Sequence, residues 1–411
     1  MGAGCGQARG AAHGPAGQQH LTGPASAAAP TGAPRVAQIS FFRDPQARTP
    51  EQLLCEWPSM VDLADAAHEA GVALTVIQAS ARAQTLQHHG VSYHFLVPPR
   101  EGGLAHAPGF ARLMRSLEPQ VLHVHGLGFP VEVMALAALM PRSPILLQDH
   151  AGPGPRPWRR RLWRRGFAAA AGVAFSARAQ AEPFRRLRLF AEPLRVYEIP
   201  ESSSRFTPGA QDAARALTGM HGNPCILSVG HLVPDKDPLT VLAGFRAAAA
   251  QLPDAHLWFY FGKAPLLGKL RARIAGDALL RERVHLVGSV PHRHIEQAMR
   301  AADLFVSGSH HEGSGYALLE AFACALPPVV SDIPSFRSFT ADGTVGALWA
   351  CGDAAAMARA LVRLAREPPE ALRRATRTHF DRELSFAAVG RKLRASYLDL
   401  ALLQSAGALH S

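Results

Sequence analysis

Short apolar segments recur through the first half of the chain, and more polar segments with helical spacing separate them. The segments that predict strands are VAQISFF (36–42), VALTVIQ (72–78), SYHFLVP (92–98), VLHVHG (121–126), PILLQDH (144–150), GVAFSA (172–177) and LRVYEIP (194–200). Residues 58–70, between the first two, place apolar side chains at helical spacing. Strands that alternate with helices are joined by right-handed crossovers, so this half predicts a parallel sheet.

The alternation restarts after a loop-like break at residues 201–224. Strands are predicted at CILSVG (225–230), HLWFYFG (256–262), RVHLVGS (283–289), DLFVSGS (303–309) and PPVVSDI (327–333), and helices at 238–252, 266–281, 292–302 and 316–325. The second half therefore predicts another doubly wound parallel-sheet domain. Ligands bind such sheets at the carboxyl ends of the strands, so two facing domains predict a cleft.

The two ends of the chain differ from this pattern. Residues 1–34 are mainly Gly, Ala, Pro, Ser and Gln, and we expect them to be disordered and not to form a signal peptide. A last helical region is predicted over 354–404, with a break near Pro368 and Pro369. The predicted domains are 35–205 and 206–385, followed by a helix and tail at 386–411.

Hydrophobic residues make up 48% of the 411-residue chain and charged residues 18%, the balance of a globular protein. A domain takes about 100–200 residues, so two domains fit the length. Apolar stretches such as 131–140 are shorter than the ~20 residues of a membrane-spanning helix. The sequence thus predicts a soluble protein, or one that lies on a membrane surface.

The cysteine positions and the net charge restrict the expected cellular compartment and the expected partners. The five cysteines form no CxxC pair, which argues against a zinc ribbon or disulfide scaffold and favours a reducing cytosol. A formal net charge of +11 favours acidic partners: nucleic acid, anionic lipid or a phosphorylated substrate.

The loop after the predicted strand at 303–309 carries the strongest chemical signal. Gly313 and Gly315 flank Ser314 just before a predicted helix, whose N-terminal amides suit a phosphate. Glu312 precedes this turn and Glu320 lies one helical turn after Tyr316. Carboxylates beside an anion site are suited to hold sugar or ribose hydroxyls. The alternative is an ordinary solvated helix with two surface glutamates.

A second loop, GHLVPDKDP, follows the strand at 225–230. Gly230 permits close approach, and Lys236 offers a cation for a departing diphosphate. Asp235 and Asp237 form a D-x-D pair that binds metal in another enzyme architecture. We favour Asp237 as the N-cap of a helix whose first residue is a proline. A third loop, Gly288–Pro291, suits either a base edge or a plain strand-to-helix turn.

Taken in this order, the loops resemble those of the retaining glycosyltransferases of family 4, or glycosyl transferases group 1. The likeness extends over residues 36–400 and is strongest over 225–334. Its most specific segment, EGSGYALLE (312–320), matches the E-x7-E motif of that family and continues into AFACALPPVVSD. The resemblance implies the GT-B fold: two facing Rossmann-like domains, with a C-terminal helix that returns to the N-terminal domain.

The resemblance also implies roles for individual residues. Lys236 would bind the donor diphosphate, Glu312 the hydroxyls of the transferred sugar and Glu320 the ribose. Ser289 and Val290 would lie beside the nucleobase, and His150 near the reacting centre. The implied catalytic set is His150, Lys236 and Glu312. The implied donor-binding set is Gly230, His231, Lys236, Ser289, Val290, Gly313, Ser314, Gly315, Tyr316, Ala317, Leu318 and Glu320.

The implied reaction transfers a sugar from a nucleotide diphosphate sugar to a hydroxyl acceptor with retention of anomeric configuration. The acceptor hydroxyl attacks from the face on which the diphosphate departs, and a departing phosphate oxygen takes the proton. The protein contributes positioning and charge stabilisation. The family pattern implies no metal and no cofactor besides the donor.

Three departures from the family pattern leave other functions open. His231 stands where the family commonly has arginine, and a neutral imidazole lacks the bidentate fork. The glycine-rich turn after the first strand, which in the family approaches donor and acceptor, is replaced by SFFRDPQARTP (40–50), and this leaves acceptor binding open. The family G-x-G-P loop is GKAP (262–265). A non-catalytic nucleotide-sugar- or polyanion-binding protein and a sugar-nucleotide epimerase are the alternatives.

Histidines and arginines outside the motif suggest further contacts. His125 is a candidate site residue and His123 a structural one, while His310 and His311 suit the cleft or an ordinary loop. Basic residues interleaved with tryptophans occupy the Arg156–Arg165 segment. They fit either an anionic membrane surface, as for a lipid-linked acceptor, or a solvated helix with core tryptophans. No recognisable nucleic-acid module accompanies the charge. The predicted location is cytoplasmic, peripheral to the membrane if the basic segment binds lipid.

Overall fold

A computed structural model describes residues 32–100, 103–152, 154–190 and 194–408, without the side chains of Pro58 and 404–408. Almost all of the predicted N-terminal tail lies outside these residues. The described chain contains two sheets, with helices against each, in the order that the sequence predicted. Among the described residues, no helix combines the length and apolar character needed to cross a bilayer.

The N-terminal sheet has eight strands within the described residues, in the order β3-β4-β2-β1-β5-β6-β7-β8. They are β1 (Arg35–Ser40), β2 (Ala73–Ala79), β3 (Gln84–His88), β4 (Val91–Leu96), β5 (Val121–His125), β6 (Ile145–Gln148), β7 (Gly172–Phe175) and β8 (Arg195–Glu198). Seven strands match the seven apolar segments that predicted them.

The expectation of an all-parallel sheet was wrong at one edge. β3 pairs antiparallel with β4, through a tight turn in which His89 and Gly90 both have positive φ. Two-residue hairpins favour this conformation because its twist matches that of the strands. The polar sequence QTLQH has only partly buried or exposed side chains, so apolar periodicity did not reveal it.

Helices cover the N-terminal sheet. They are α1 (Pro50–Glu56), α2 (Pro58–Glu69), α3 (Phe110–Leu117), α4 (Pro130–Leu139), α5 (Arg160–Ala168) and α6 (Glu182–Arg186). Leu63, Ala64 and Ala67 of α2 pack against Val76 of β2 in one core on one side of the sheet. Phe110 belongs to a second core, with the inner face of α5.

The C-terminal sheet is wholly parallel among the described residues and has the order β11-β10-β9-β12-β13-β14. Its strands are β9 (Cys225–Val229), β10 (His256–Tyr260), β11 (Val284–Gly288), β12 (Leu304–Ser307), β13 (Pro328–Ser331) and β14 (Ala347–Trp349). Helices on both faces bury it, which is why these strands read as nearly continuous apolar runs.

The helices of this half are α7 (Gln211–Thr218), α8 (Pro238–Ala248), α9 (Leu267–Ala275), α10 (Ala278–Arg283), α11 (His292–Ala301), α12 (Tyr316–Ala323), α13 (Pro334–Phe339), α14 (Ala354–Ala365) and α15 (Pro369–His379). The single helix predicted over 266–281 was wrong. Asp277 caps a new helix by accepting from the Leu280 amide at 3.2 Å, and this cap separates α9 from α10. Helix α7 lies in the segment predicted as a loop.

The predicted return of the C-terminal helix is confirmed. Helix α16 (Phe386–Ala408) places Val389, Leu393 and Tyr397 in the core of the N-terminal domain. At Gly390 it lies so close to α2 that a Cβ atom would collide with the Ala66 carbonyl. The chain thus adopts the GT-B arrangement.

Candidate active site

A cavity of about 340 Å³ opens at the carboxyl ends of β9, β10, β11 and β12. This is the edge at which parallel sheets bind ligands. The lining includes ten of the predicted site residues: Gly230, His231, Lys236, Ser289, Val290, Glu312, Gly315, Tyr316, Ala317 and Leu318. The sequence therefore predicted most of one site from three separate loops.

Glu312 and Lys236 face each other in this cavity. The Lys236 ammonium group forms an ion pair with Glu312 Oε1. Ser309, which the sequence did not single out, donates a hydrogen bond from Oγ to the same carboxylate oxygen at 2.7 Å. The two charges are partly exposed, with 30% of the lysine side chain and 16% of the glutamate accessible. Both groups are therefore within reach of a ligand.

Helix α12 begins at the cavity. Gly315 caps it in a left-handed conformation, with φ of 65°. The amide groups of the first turn of a helix have no partner within the helix and carry partial positive charge. Tyr316, Ala317 and Leu318, in this first turn, line the cavity, so the helix terminus offers donors for an anion.

Gly315→Ala is expected to lower the unfolding midpoint and to weaken donor binding. The new Cβ would lie 2.6 Å from Phe336 Cε1, and an L residue here has strained φ; such strain costs about 1–3 kcal/mol. Thermal unfolding and donor titration measure both effects. Gly268→Ala is the control, because its Cβ would meet nothing within 4 Å. Equal midpoints for the two variants would contradict the expectation.

His231, which replaces the usual arginine, is held by the backbone of the other unusual loop. The Lys263 amide donates to His231 Nδ1 at 3.1 Å, so a neutral ring carries its proton on Nε2. Gly262 leaves room for this ring, because a Cβ there would lie 3.1 Å from His231 Cε1. The two departures from the family pattern thus contact each other, and His231 offers one oriented donor.

The predicted capping role of Asp237 is confirmed. Its side chain accepts from the Thr240 amide, and helix α8 begins at Pro238. Its other carboxylate oxygen lies 3.1 Å from His310 Nε2. Burial is the largest single effect and raises the pKa of this carboxyl, but hydrogen bonds from Thr240 and His310 together outweigh it and lower the pKa. The D-x-D pair therefore has a structural role at this residue.

Ser314 and Gly313 lie at the contact between the two domains, outside the cavity lining. Ser314 is 1% exposed, and its Oγ lies 2.7 Å from Ser176 Oγ. Gln180 donates to the Glu312 and Gly313 carbonyls at 3.0 and 3.1 Å. These contacts fix the backbone of the motif against the N-terminal domain.

Glu320 also lies outside the cavity lining. His292 Nε2 lies 2.6 Å from Glu320 Oε1. The hydrogen bond to this carboxylate is the largest cause of a raised His292 pKa. Since 14% of the Glu320 side chain is accessible, any ligand of this carboxylate must approach it beside the imidazole.

His150 belongs to a chain of polar groups in the N-terminal domain. Its Nδ1 lies 2.7 Å from Glu201 Oε2, and its Nε2 lies 3.1 Å from His125 Nδ1. Glu201 is 7% exposed and also touches the motif, because a Cβ on Gly313 would lie 2.7 Å from Glu201 Oε1. Glu201 thus connects the predicted catalytic histidine with the residue after Glu312.

The neighbours of His150 have strongly shifted pKa values. Burial lowers the pKa of His123 to about 3 and that of His125 well below its usual range. Burial raises the pKa of Asp149 to about 6, and the Glu201 carboxylate adds to this shift. His123 lies 2.7 Å from the Tyr397 hydroxyl through Nδ1, which supports its predicted structural role.

A second cavity, of about 330 Å³, adjoins His150 and Glu201. Its wall combines polar groups with aromatic rings and aliphatic side chains. The lining residues are Gln38, Ser40, Phe42, Trp57, Ser59, Met60, Leu63, Val76, Gln78, His125, Gly126, Phe129, His150 and Glu201. The segment after β1 that lacks the glycine-rich turn contributes Phe42, which lies 5.8 Å from Trp57 between ring centroids.

The basic segment combines both of the alternatives that its sequence allowed. Trp163 and Phe167 are buried at 6% and 2% exposure, whereas Trp158 is 72% exposed. The Arg156 guanidinium lies 5.4 Å from the Trp158 ring centroid. The prediction of core tryptophans was therefore correct for one ring and wrong for the other.

Three residues that contact Glu312 or Gly313 from outside the motif were not identified from the sequence. Ser309, Gln180 and Glu201 have no distinctive spacing, and the partners of Gln180 and Glu201 are distant in the chain. Glu201 and Ser309 carried a local signal, since Glu201 follows the predicted strand at 194–200 and Ser309 ends the predicted strand at 303–309, each at the carboxyl edge of its sheet.

Two family sequence models match consecutive parts of the chain. The model described as "Glycosyl transferases group 1" matches residues 211–379. The model described as "Glycosyltransferase Family 4" matches residues 59–198. The first covers the C-terminal sheet with the cavity, and the second covers most of the N-terminal sheet.

Curated relatives share parts of this sequence. A D-inositol 3-phosphate glycosyltransferase of Mycolicibacterium gilvum is 33% identical over 147 residues, which cover 35% of this chain and 32% of that protein. A GDP-mannose:cellobiosyl-diphosphopolyprenol alpha-mannosyltransferase of Xanthomonas oryzae pv. oryzae is 28% identical over 253 residues, covering 59% and 63%. The chain thus spans about a third to just under two thirds of the length of these relatives.

Solved structures share the fold over nearly the whole chain. A sucrose-phosphate synthase from Thermosynechococcus elongatus has a TM-score of 0.60 at 20% identity. The superposition covers 90% of this chain and 99% of the synthase chain. Anabaena Alr3699/HepE in complex with UDP has a TM-score of 0.57 at 16% identity, covering 92% and 99%. With a matching family model on each domain and the GT-B fold around them, the chain belongs to the group 1 and family 4 glycosyltransferases.

Proposed function

We propose that the protein transfers a sugar from a nucleotide diphosphate sugar to a hydroxyl acceptor with retention of anomeric configuration. The observation that carries this proposal is the pairing of Lys236 with Glu312 at the N-terminus of α12, in the cavity at the carboxyl edge of the C-terminal sheet. An ammonium group and helix amides suit a diphosphate, while a carboxylate suits sugar hydroxyls.

The donor binds by exchanging partners within the site. Its diphosphate takes Lys236 from Glu312, and the freed carboxylate accepts hydrogen bonds from the sugar, with Ser309 keeping it in place. Ser289 and Val290 lie beside the base, and Glu320 holds the ribose. The N–H group at Nε2 of His231 supplies one of the hydrogen bonds that an arginine would donate to the phosphates.

Transfer breaks the bond between the anomeric carbon and the diphosphate oxygen and forms a bond from that carbon to the acceptor oxygen. The acceptor proton passes to the departing phosphate oxygen, so atoms and charge balance without a further reagent. Lys236 and the amides of α12 stabilise the negative charge that develops on the leaving group. His150, oriented by Glu201, lies on the acceptor side. Neither a metal ion nor another cofactor has a role in this scheme.

The cavity beside His150 is the proposed acceptor site. Its aromatic and aliphatic wall suits a partly apolar acceptor, and its polar groups suit hydroxyls. The Xanthomonas relative is named for a diphosphopolyprenol-linked acceptor and the Mycolicibacterium relative for an inositol phosphate. Both acceptors carry negatively charged phosphate, and this chain has a net charge of the opposite sign, +11.

We further propose that the Arg156–Arg165 segment holds the protein on an anionic membrane surface. Trp158 is exposed, and five of the six arginines in this segment are exposed. Arg164 donates from Nε to the Arg188 carbonyl at 2.9 Å, a contact that orients its guanidinium without neutralising the charge. An exposed indole ring beside several exposed cations suits the headgroup layer of a membrane, and it fits an acceptor linked to lipid.

Charge reversal in this segment is expected to weaken binding to anionic vesicles. Each cation near an anionic surface contributes about 1 kcal/mol, so Arg161→Glu with Arg165→Glu is expected to lower the partition coefficient by about 30-fold or more. Sedimentation with vesicles containing phosphatidylserine measures it. Arg271→Glu with Arg273→Glu makes the same charge change on exposed positions of α9. Equal loss in both pairs would point to net charge alone and contradict a localised surface.

A non-catalytic nucleotide-sugar-binding protein is the second candidate function. His231 in the place of arginine and Ala264 in the G-x-G-P loop favour it. The ion pair of Lys236 with Glu312, and the hydrogen bond from Ser309, favour the enzyme because they assemble both charged groups that transfer requires.

Calorimetric titration with a panel of UDP-, GDP- and ADP-sugars tests the proposal. We expect selective binding of one nucleotide class, weakened in Glu320→Ala, together with slow donor hydrolysis. Binding without hydrolysis, with or without added acceptors, would favour the non-catalytic candidate. Absence of binding to every donor would contradict both.

A further inference from the structure

Three histidines meet at the amino-terminal edge of the C-terminal sheet, the edge opposite the donor cavity. His221 lies in the loop before β9, His256 is the first residue of β10 and His285 is the second residue of β11. One ring nitrogen from each lies within 4.8 Å of the others. The separation from His256 Nδ1 to His285 Nε2 is 3.0 Å.

The surrounding contacts hold these rings in place. The register of β10 and β11 sets His285 opposite Trp258, and the two rings stack with centroids 3.8 Å apart. Trp258 Nε1 donates to the His221 carbonyl at 3.0 Å, which ties the loop to the strand. The indole ring therefore connects the backbone of one histidine with the side chain of another.

The hydrogen bond made by His221 leaves its second nitrogen available. His221 Nδ1 lies 3.1 Å from the Gly219 carbonyl oxygen, and a ring nitrogen beside a carbonyl must donate. In the neutral ring, Nε2 then carries the lone pair. Histidines that bind metals commonly donate their other N–H to a backbone carbonyl in this way.

The rings on the two strands favour the neutral form that binds metal. Burial, with the neighbouring imidazoles, lowers the pKa of His285 to about 4. Burial also lowers the pKa of His256, where Arg283 adds to the shift while Glu282 and Asp254 oppose it. Metal ions compete with protons for histidine, so rings that are already neutral at pH 7 bind them more readily.

We propose that His221, His256 and His285 bind one divalent transition-metal ion of the zinc class. Three imidazoles around one ion, each at about 2.0–2.1 Å, leave a fourth position for water. Nitrogen atoms within 4.8 Å of one another are close to the separation of about 3.3 Å that such bonds set in a tetrahedral site. The bound ion would join the loop before β9 to strands β10 and β11, and so stabilise the C-terminal domain without contacting the donor.

Titration of the full chain with Zn²⁺ alone, in protein without a histidine tag, tests this proposal. We expect one saturable site and a higher unfolding midpoint with Zn²⁺, and neither with Mg²⁺, which prefers oxygen ligands. Co²⁺ in the same site should show the visible absorption bands of a tetrahedral ion. His221→Gln and His285→Gln should each weaken Zn²⁺ binding by more than about 100-fold, the upper end of the loss caused by a missing outer-shell partner.

His106→Gln removes an exposed histidine of the N-terminal domain and should leave Zn²⁺ binding unchanged. His221 is exposed, so its replacement keeps the test valid if His285→Gln fails to fold. Absence of a saturable Zn²⁺ site in the wild type would overturn the proposal. An unchanged affinity in His221→Gln would overturn it as well.

Discussion

Lys236→Met is expected to lower kcat/KM for sugar transfer by about 10²–10³-fold, the loss seen when one preorganised donor to developing charge is removed. The ammonium group meets the diphosphate in the bound donor and gains importance as negative charge develops on the leaving group. Donor affinity should fall by less, since a hydrogen bond to a charged group contributes about 1.5–3 kcal/mol. Steady-state kinetics with calorimetric donor titration separates the two effects.

Lys269→Met is the matched control for this substitution, because Lys269 is exposed on α9 and does not line the donor cavity. It should leave kcat/KM unchanged. Lys236→Arg should restore part of the lost affinity because it returns a positive charge. A transfer rate in Lys236→Met equal to that of the wild type would exclude this lysine from the reaction.

Glu312→Gln is expected to reduce kcat by about 10²–10³-fold, on the same scale of lost electrostatic stabilisation. The amide keeps the size of the carboxylate but cannot accept hydroxyl hydrogen bonds with a full charge. Nucleotide affinity should change little, or rise, because Lys236 no longer has a competing carboxylate. Rapid-quench measurement of transfer, beside titration with the nucleotide diphosphate alone, gives both values.

Ser309→Ala provides a graded comparison. It removes the hydrogen bond that Ser309 donates to Glu312 Oε1, together with a 3.1 Å contact to Ser307 Oγ, but leaves the carboxylate itself, so kcat should fall by a smaller factor. Glu370→Gln removes an exposed carboxylate on α15 and should have no effect. A Glu312→Gln protein that keeps the wild-type kcat would show that the carboxylate does not act on the sugar.

Much of the architecture was predictable because both sheets are largely parallel. Most of their strands are largely buried, and twelve of the strands appear in the sequence as apolar runs. The strand β3 escaped detection because its side chains face solvent, and its hairpin depends on the conformation of His89 and Gly90. β14 is three residues long, which is too short for any period to show.

The donor side of the site was predictable for a related reason. Its residues follow strands that end at one sheet edge, so sequence order alone brings Gly230, Lys236 and Glu312 into one cavity. The motif is also continuous over Glu312–Glu320. What remained hidden is the side-chain geometry within that segment. The Ser314 hydroxyl is hydrogen-bonded to Ser176 in the other domain, and the Glu320 carboxylate is hydrogen-bonded to His292.

The proposed acceptor side was predictable only in part, since the sequence indicated His125 and His150 but not Glu201, whose contacts join distant segments. Hydrogen bonds link His125, His150 and Glu201, which lie at three strand ends of the N-terminal sheet. No local spacing indicates that Glu201 reaches both the histidine and Gly313. Loops of this kind vary between relatives because binding specificity is located there.

Following donor turnover by ¹H NMR tests the proposed reaction most directly, with the donor that calorimetry selects and with time points faster than mutarotation. The proposed mechanism predicts that the first sugar released, or transferred, keeps the anomeric configuration of the donor. It also predicts that this signal disappears in Glu312→Gln. Release of the inverted anomer first, or equal turnover in the variant, would contradict retaining transfer at this site.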